Sequence, residues 1–173
     1  MGLTPLGGIM MGTRTGDMDP SVFNYVVKVT GKSAEEVYQM FNKQSGFAGM
    51  STVGPDSRDV LQAVEEGNEK AILANQIFLR RICDFIGQYY VRLGGADLII
   101  FSAGIGENSW EAREEVCKEI APALGLSIDY EFNKTLRGKE AQISKPDSKI
   151  KVVIIPTDEE VMIARDTFAF YKK

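Results

Sequence analysis

Four consecutive large apolar residues, Leu98 to Phe101, run directly into Ser-Ala-Gly-Ile-Gly-Glu-Asn108 and then into a segment dense in acidic helix formers. A block this short, bounded by glycine and followed at once by a helical pattern, reads as a strand buried on both faces, the arrangement of a parallel sheet. Residues 151–155, KVVII, repeat that reading. Each block is followed by a turn and a marked helix start, Asn108-x-x-Glu111 in one case and the capping box Thr157-x-x-Glu160 in the other. Strand, turn and helix twice over is the grammar of an α/β protein. Two or three short strands make a poor sheet beneath five or six helices, so the pattern predicts sheet partners missing on the amino-terminal side.

The helix starts are well marked elsewhere. Asp19-Pro20 places an N-cap before a first-turn proline and opens a helix carrying Val22, Phe23, Val26 and Val27 that ends near Gly31. Ser33-x-x-Glu36 is a capping box, with Val37, Met40 and Phe41 on the inner face. SGFAGMSTVGP reads as a loop, after which Asp56 can cap a helix that turns Val60, Leu61 and Val64 inward. From about Asn68 to Leu93, apolar residues recur at three- and four-residue steps (Ala71, Ala74, Phe78, Ile82, Phe85, Ile86, Tyr89, Leu93), and Gly94-Gly95 stops that helix. Between Pro122 and Pro146 the patterning is weak, with a short strand expected around residues 140–143.

Composition narrows the chemistry. The 173 residues, 44% hydrophobic, are enough for one domain with a real core. There is no histidine, which removes Ser-His-Asp and Cys-His nucleophiles, imidazole bases and the commonest zinc ligand together. A net charge of −4 without a Lys/Arg cluster speaks against nucleic acid as a partner. No apolar run approaches the roughly eighteen residues of a membrane span, and Cys83 and Cys117 read as buried reduced thiols, so the expectation is a cytoplasmic protein that meets no membrane.

Four segments could carry chemistry, each with a plainer alternative. The turn at residues 101–108 follows a parallel strand, where α/β sheets bind ligands, and its glycines let a backbone approach a charged group, yet a tight turn needs the same residues. It lacks the third glycine of a dinucleotide fingerprint, and no P-loop pattern exists in the chain. Arg14, among Gly12, Thr13, Thr15 and Gly16, can set its fork against a carboxylate or phosphate, or pair with Asp17 or Asp19. In PTDEEVMIAR the capping box engages Thr157 and Glu160, leaving Asp158 and Glu159 to hold Mg²⁺ or simply to complement the helix dipole. In GPDSRD, Asp56 and Arg58 either surround a ribose or adenine or form a capped, solvated first turn.

Taken in order, TPLGGIMMGTRTGDMDP, STVGPDSRDV, FSAGIGENS and IIPTDEEVMIARDT resemble the carboxyl-terminal half of the acetate and propionate kinases, over essentially the whole sequence. The resemblance implies a ribonuclease-H-like domain of the actin and sugar-kinase superfamily, helix-rich and with an incomplete sheet, spanning residues 1–173. It implies reversible phosphoryl transfer from ATP to acetate, giving acetyl phosphate and ADP, with Mg²⁺. Matched residue by residue, it makes Arg14 the catalytic cleft arginine, gives the nucleotide Asp56, Ser57 and Arg58 together with Gly104, Ile105 and Asn108, and sets Glu159 near the metal. The family has an amino-terminal domain before the segment matched here, holding an asparagine, a second arginine, an aspartate and a histidine of the reaction. The expectation is therefore a chain inactive by itself and dimeric through this domain. Propionate as substrate, or a non-catalytic adenosine-binding or dimerisation module, are the alternatives.

Overall fold

Pro20 opens the first helix, α1 (Pro20–Thr30), because the Asp19 side chain accepts the Ser21 N–H and proline brings a pre-set φ where no helical N–H bond is needed. The structure, a computed structural model, describes residues 2–171. It divides into two compact units, Met1–Gln88 and Tyr89–Lys173.

In the first unit, α2 (Ala34–Lys43) carries the full capping box. Ser33 Oγ accepts the Glu36 N–H at 3.3 Å, and the Glu36 carboxylate accepts the Ser33 N–H at 2.8 Å. Val37 and Phe41 are buried, and Phe23 of α1 meets Phe41 edge-on with ring centroids 5.9 Å apart. The expected loop after α2 contains a helix instead, α3 (Gly46–Ser51). Its first-turn amides need no side-chain cap, because Phe47 N–H donates to the Met11 carbonyl at 3.0 Å and Ala48 N–H to that of Gly12 at 2.9 Å. Phe47 then anchors α3 against Phe78, 5.1 Å away between centroids. Helix α4 (Ser57–Glu65) buries Val60 and Ala63, whereas Leu61 and Val64 are half-buried. Helix α5 (Glu69–Leu93) starts where Asn68 Oδ1 accepts the Lys70 and Ala71 N–H groups, and buries Ala71, Ala74 and Phe78. Its apolar stripe continues past Phe78 without full burial, and Tyr89 and Leu93 are exposed.

The second unit holds β1 (Leu98–Phe101), α6 (Ala103–Asn108), α7 (Trp110–Leu124), α8 (Tyr130–Lys134), β2 (Ala141–Gln142), β3 (Lys151–Ile154) and α9 (Glu159–Tyr171). The sheet order is β1-β3-β2, with β1 parallel to β3 and β2 antiparallel to it. Its core gathers Cys117 of α7, Ile128, Leu136, Ile143, Val152 and Ile154, with Ile99 and Phe101 packed against them. The expectation that β1 is buried on both faces is corrected: Leu98 and Ile100 are 42% and 50% exposed. As an edge strand paired only with β3 among the described residues, β1 has one face on the core and the other only partly covered. Helix α7 also runs past Pro122, which sits in its last turn, and ends at Leu124 before the left-handed Gly125. Cys117 is buried as expected, Cys83 only half-buried, and neither is in a disulfide. Among the described residues no helix is long and apolar enough to cross a membrane.

The reciprocal bonds at Ser33 give a direct check on α2. Ser33→Ala should lower the unfolding free energy by about 1 kcal/mol in urea titrations, because the Glu36 amide loses its acceptor and the Glu36 carboxylate loses the hydroxyl that helps hold it at the Ser33 amide.

Candidate functional site

The eight residues singled out by sequence fall four to each unit, and each group is built differently. Arg14, Asp56, Ser57 and Arg58 lie in the first unit; Gly104, Ile105, Asn108 and Glu159 lie in the second.

Arg14 stands on a segment whose backbone is tied at almost every residue. Met11 N–H donates to the Arg14 carbonyl at 3.1 Å, Thr15 N–H to that of Phe41 at 3.1 Å, and Ser45 N–H to that of Thr13 at 2.9 Å. The Thr13 hydroxyl adds a bond to the Asn42 carbonyl at 3.0 Å. Gly46 makes this approach possible: at φ +60 its missing Cβ would strike the Met11 carbonyl oxygen and lie 2.8–2.9 Å from backbone atoms of Arg14. Gly12 does the same on another side, since a Cβ there would lie 2.7 Å from the Pro55 carbonyl oxygen. The structure thus brings the Arg14 loop against the residue preceding Asp56.

The guanidinium itself is left over. Asp17 accepts the Gly8 N–H at 2.7 Å and faces Arg81 at 3.5 Å, and Asp19 caps α1, so neither neutralises Arg14. Among the described residues no ion pair or hydrogen bond holds that side chain.

Asp56 and Arg58, by contrast, hold each other. Asp56 caps α4 by accepting the Arg58 N–H at 2.9 Å, and its carboxylate also takes Arg58 Nε at 3.0 Å and Nη2 at 2.5 Å. These bonds, together with the guanidinium charge, hold the Asp56 carboxyl at a pKa of about 2 and raise that of Arg58. Ser57 follows as the first residue of α4.

In the second unit the two strand-end turns are joined. The Ile155 N–H extends the parallel ladder to the Phe101 carbonyl at 3.0 Å, and the Thr157 N–H then donates to Glu107 Oε2 at 3.1 Å. The turn after β1 is a short helix, α6, entered through Ala103 at φ 57, a left-handed conformation that costs a non-glycine residue about 1 kcal/mol or more. Asn108 closes it by donating from Nδ2 to the Gly104 carbonyl at 2.9 Å, while Ile105 is half-buried and its carbonyl accepts the Ser109 N–H at 2.9 Å.

Both sequence-derived helix starts shift by one residue. Ser109, not Asn108, caps α7 by accepting the Ala112 N–H at 3.1 Å, because Asn108 is committed to α6. Asp158, not Thr157, caps α9 by accepting the Val161 N–H at 2.9 Å, since the Thr157 amide is drawn to Glu107. Glu159 therefore stays outside the capping, but Asp158 does not, and Glu160 loses the role the sequence gave it. Glu107 was missed as a structural link; its only signal was an acidic residue inside a glycine turn. Among the described residues no three His, Cys, Asp or Glu side chains gather as a metal cage. Glu159 fits Mg²⁺ only in the mode where one carboxylate assists and phosphate and water supply the other ligands.

The model of the Acetokinase family matches residues 1–165. An acetate kinase of Bacteroides thetaiotaomicron is 47% identical over 173 residues, all of this chain and 43% of that protein. One from Bacillus subtilis is 49% identical over 172 residues, 99% of this chain and 43% of its own length. Among solved structures, Porphyromonas gingivalis acetate kinase superimposes with TM-score 0.92 at 43% identity, over 98% of this chain and 42% of that one. A propionate kinase from Francisella tularensis gives 0.86 at 38% identity, over 95% and 41%. The chain thus spans a little over two fifths of the length of these relatives. The likeness agrees with the helix-rich build and small partial sheet in assigning the actin and sugar-kinase-like fold.

Two measurements check the site's construction. Gly46→Ala should cost about 3 kcal/mol of stability and broaden the amide resonances of the Arg14 loop, since strain and backbone collision coincide there. An NMR titration should show the Asp56 carboxylate ionised down to about pH 2, and Arg58→Ala should return its pKa toward the ordinary 3.8. The folded pKa lies below the unfolded one, so the pair's stabilisation is complete above the ordinary value and is lost as pH falls through the folded one.

Proposed function

Because the chain belongs to the acetokinase family, we propose that it is the carboxyl-terminal, nucleotide-binding part of an ATP:acetate phosphotransferase, which moves a phosphoryl group reversibly between ATP and acetate. The observation that carries this reading is Arg14: a guanidinium with no partner among the described residues, on a backbone held at both ends. An unneutralised planar cation on a rigid loop suits bidentate recognition of a carboxylate or a transferring phosphoryl group. Phosphoryl transfer needs mainly positioning and charge neutralisation from the protein, which is what such a residue supplies.

The remaining assignments follow the same reading. Asp56, Ser57 and Arg58 contact adenosine, as do Gly104, Ile105 and Asn108. Glu159 assists Mg²⁺, which when bound bridges and neutralises phosphate oxygens. The acyl substrate is a short carboxylic acid, acetate by the curated relatives, with propionate supported by the propionate kinase neighbour. One methylene separates the two and is worth only about 1–3 kcal/mol in an apolar pocket. Family resemblance carries two further parts, a cytoplasmic location and a homodimer formed through this region. The isolated 173 residues are proposed to turn over no acetyl phosphate, because the family places further reaction groups outside the matched segment.

Calorimetric titration with Mg-ADP tests the reading. The folded chain should bind, Arg58→Ala should weaken binding by about tenfold or more, and Arg14→Ala should leave ADP affinity nearly unchanged, since a guanidinium–ligand hydrogen bond contributes ~1.5–3 kcal/mol only where it is made. A folded chain blind to ADP would sink the nucleotide assignment. Acetyl phosphate turnover by the pure chain would sink the claim that it is inactive alone.

A further inference from the structure

Arg113 is fully buried, and no carboxylate stands within ion-pair distance of it among the described residues. Nothing in the proposed reaction uses it. Burial lowers the pKa of its guanidinium and the charge of Glu111 offsets only part of that, yet an arginine stays charged in a protein, so a cation is being held in the core without a direct ion pair.

Its fork meets oxygen atoms of neutral groups instead. Nε donates to Asn133 Oδ1 at 2.8 Å, Nη1 to the Gly106 carbonyl at 3.0 Å, and Nη2 to the Leu136 carbonyl at 2.8 Å and that of Asn133 at 3.3 Å. Gly106 lies in the last turn of α6, where carbonyls have no helical partner. Asn133 and Leu136 are at the end of α8 and just beyond it. Arg113 therefore binds the carboxyl-terminal ends of two short helices, and a cation there also complements both dipoles. Asn133, itself buried, donates from Nδ2 to the Trp110 carbonyl at 2.9 Å, closing the network around the start of α7. A second tie runs alongside, Gly138 N–H to the Glu107 carbonyl at 2.9 Å. Only a planar, multiply donating group satisfies these acceptors at once; an ammonium on a shorter reach cannot.

We propose that Arg113 is a positioning residue for nucleotide binding: through the Gly106 carbonyl it fixes α6 in the conformation that presents Gly104, Ile105 and Asn108 to adenosine. The inference rests on the nucleotide reading of that segment. A six-residue helix entered through a strained Ala103 has too little internal bonding to hold its own shape, and Arg113 supplies the missing restraint from a residue already fixed in α7. Arg113 touches no substrate, so its effect passes entirely through α6.

The test combines amide hydrogen exchange with Mg-ADP affinity in the wild-type chain, Arg113→Lys and Asn133→Ala. Trp110 is the only tryptophan, so its fluorescence reports on this network during titration. In Arg113→Lys, exchange at residues 103–108 should rise by about tenfold or more with that in α2 unchanged, and ADP should bind about tenfold more weakly. Asn133→Ala, which keeps the Gly106 bond, should shift both readouts in the same direction by less, and decides the matter if the lysine variant does not fold. Variants that bind ADP like wild type, or that loosen α7 and α8 while residues 103–108 stay protected, overturn the assignment. A wild-type chain that fails to bind ADP overturns the nucleotide reading and the positioning role with it, an outcome distinct from equal binding by all three chains.

Discussion

The parallel pairing of β1 with β3 is the constraint on which the second unit's candidate chemistry depends. Leu98 faces Lys151 and Phe101 faces Ile154, so the two strands finish level and the turns that follow them emerge side by side. One further rung, from Ile155 to Phe101, and the Glu107–Thr157 bond extend that alignment beyond the sheet. A one-residue slip of β3 would bring Val153 inward in place of the buried Val152 and Ile154, and would separate Thr157 from Glu107. Core packing against Cys117, Ile128 and Ile143 therefore sets the spacing of the two strand-end turns as well as the stability of the sheet.

The first unit reaches a comparable result with no strand among its described residues. Its Arg14 loop borrows regularity from α2 and α3, taking carbonyls of Phe41 and Asn42 as acceptors and giving its own carbonyls to the first amides of α3. The exchange is reciprocal: α3 exists as a helix because the loop caps it, and the loop has one shape because α3 is there. Gly46 is the residue both depend on, since any side chain at that point would force the two backbones apart. Around Arg14 the backbone is committed while the side chain itself is not, which is how preorganisation for a ligand differs from ordinary packing.

Legibility followed from where the partner of each group lies. Asp19, Ser33 and Asp56 were readable as caps because donor and acceptor are two or three residues apart. The helix at Gly46 and the displaced start at Asp158 were not, because the deciding bonds come from Met11 and Glu107, tens of residues away along the chain. The start at Ser109 shifts because Asn108 turns back to Gly104 within the short α6, a helix that reads in the sequence as a tight turn. An apolar run also cannot tell a covered sheet face from a half-open one, so β1 was read as doubly buried. Arg14 stood out through its glycine neighbours. Arg113 left a trace that went unread: it is in helical phase with Val116, Cys117, Ile120 and Leu124, an arginine on the buried stripe of α7. Its partners on α6 and α8 could come only from the fold.

Three arginines show how partner chemistry assigns different work to one side-chain type. Arg113 spends four of its five N–H donors on carbonyl and amide oxygens and retains its charge in the core, which makes it a fixed joint. Arg14 has no such bonds among the described residues, so both its charge and its hydrogen-bonding edge are uncommitted. Arg58 is intermediate: Asp56 neutralises it and takes Nε and Nη2, yet the side chain is 86% exposed. A neutralised guanidinium attracts phosphate weakly, whereas its plane, held in one orientation by two bonds to a carboxylate, remains open above and below. On the proposed reading Arg58 therefore suits the flat, uncharged base of the nucleotide, by stacking, and Arg14 suits the charged groups that react. The contrast between Arg58 and Arg14 follows from the carboxylates nearby: Asp56 is spent on Arg58 and α4, Asp17 on Gly8 and Arg81, and Asp19 on α1, so none of the three reaches Arg14.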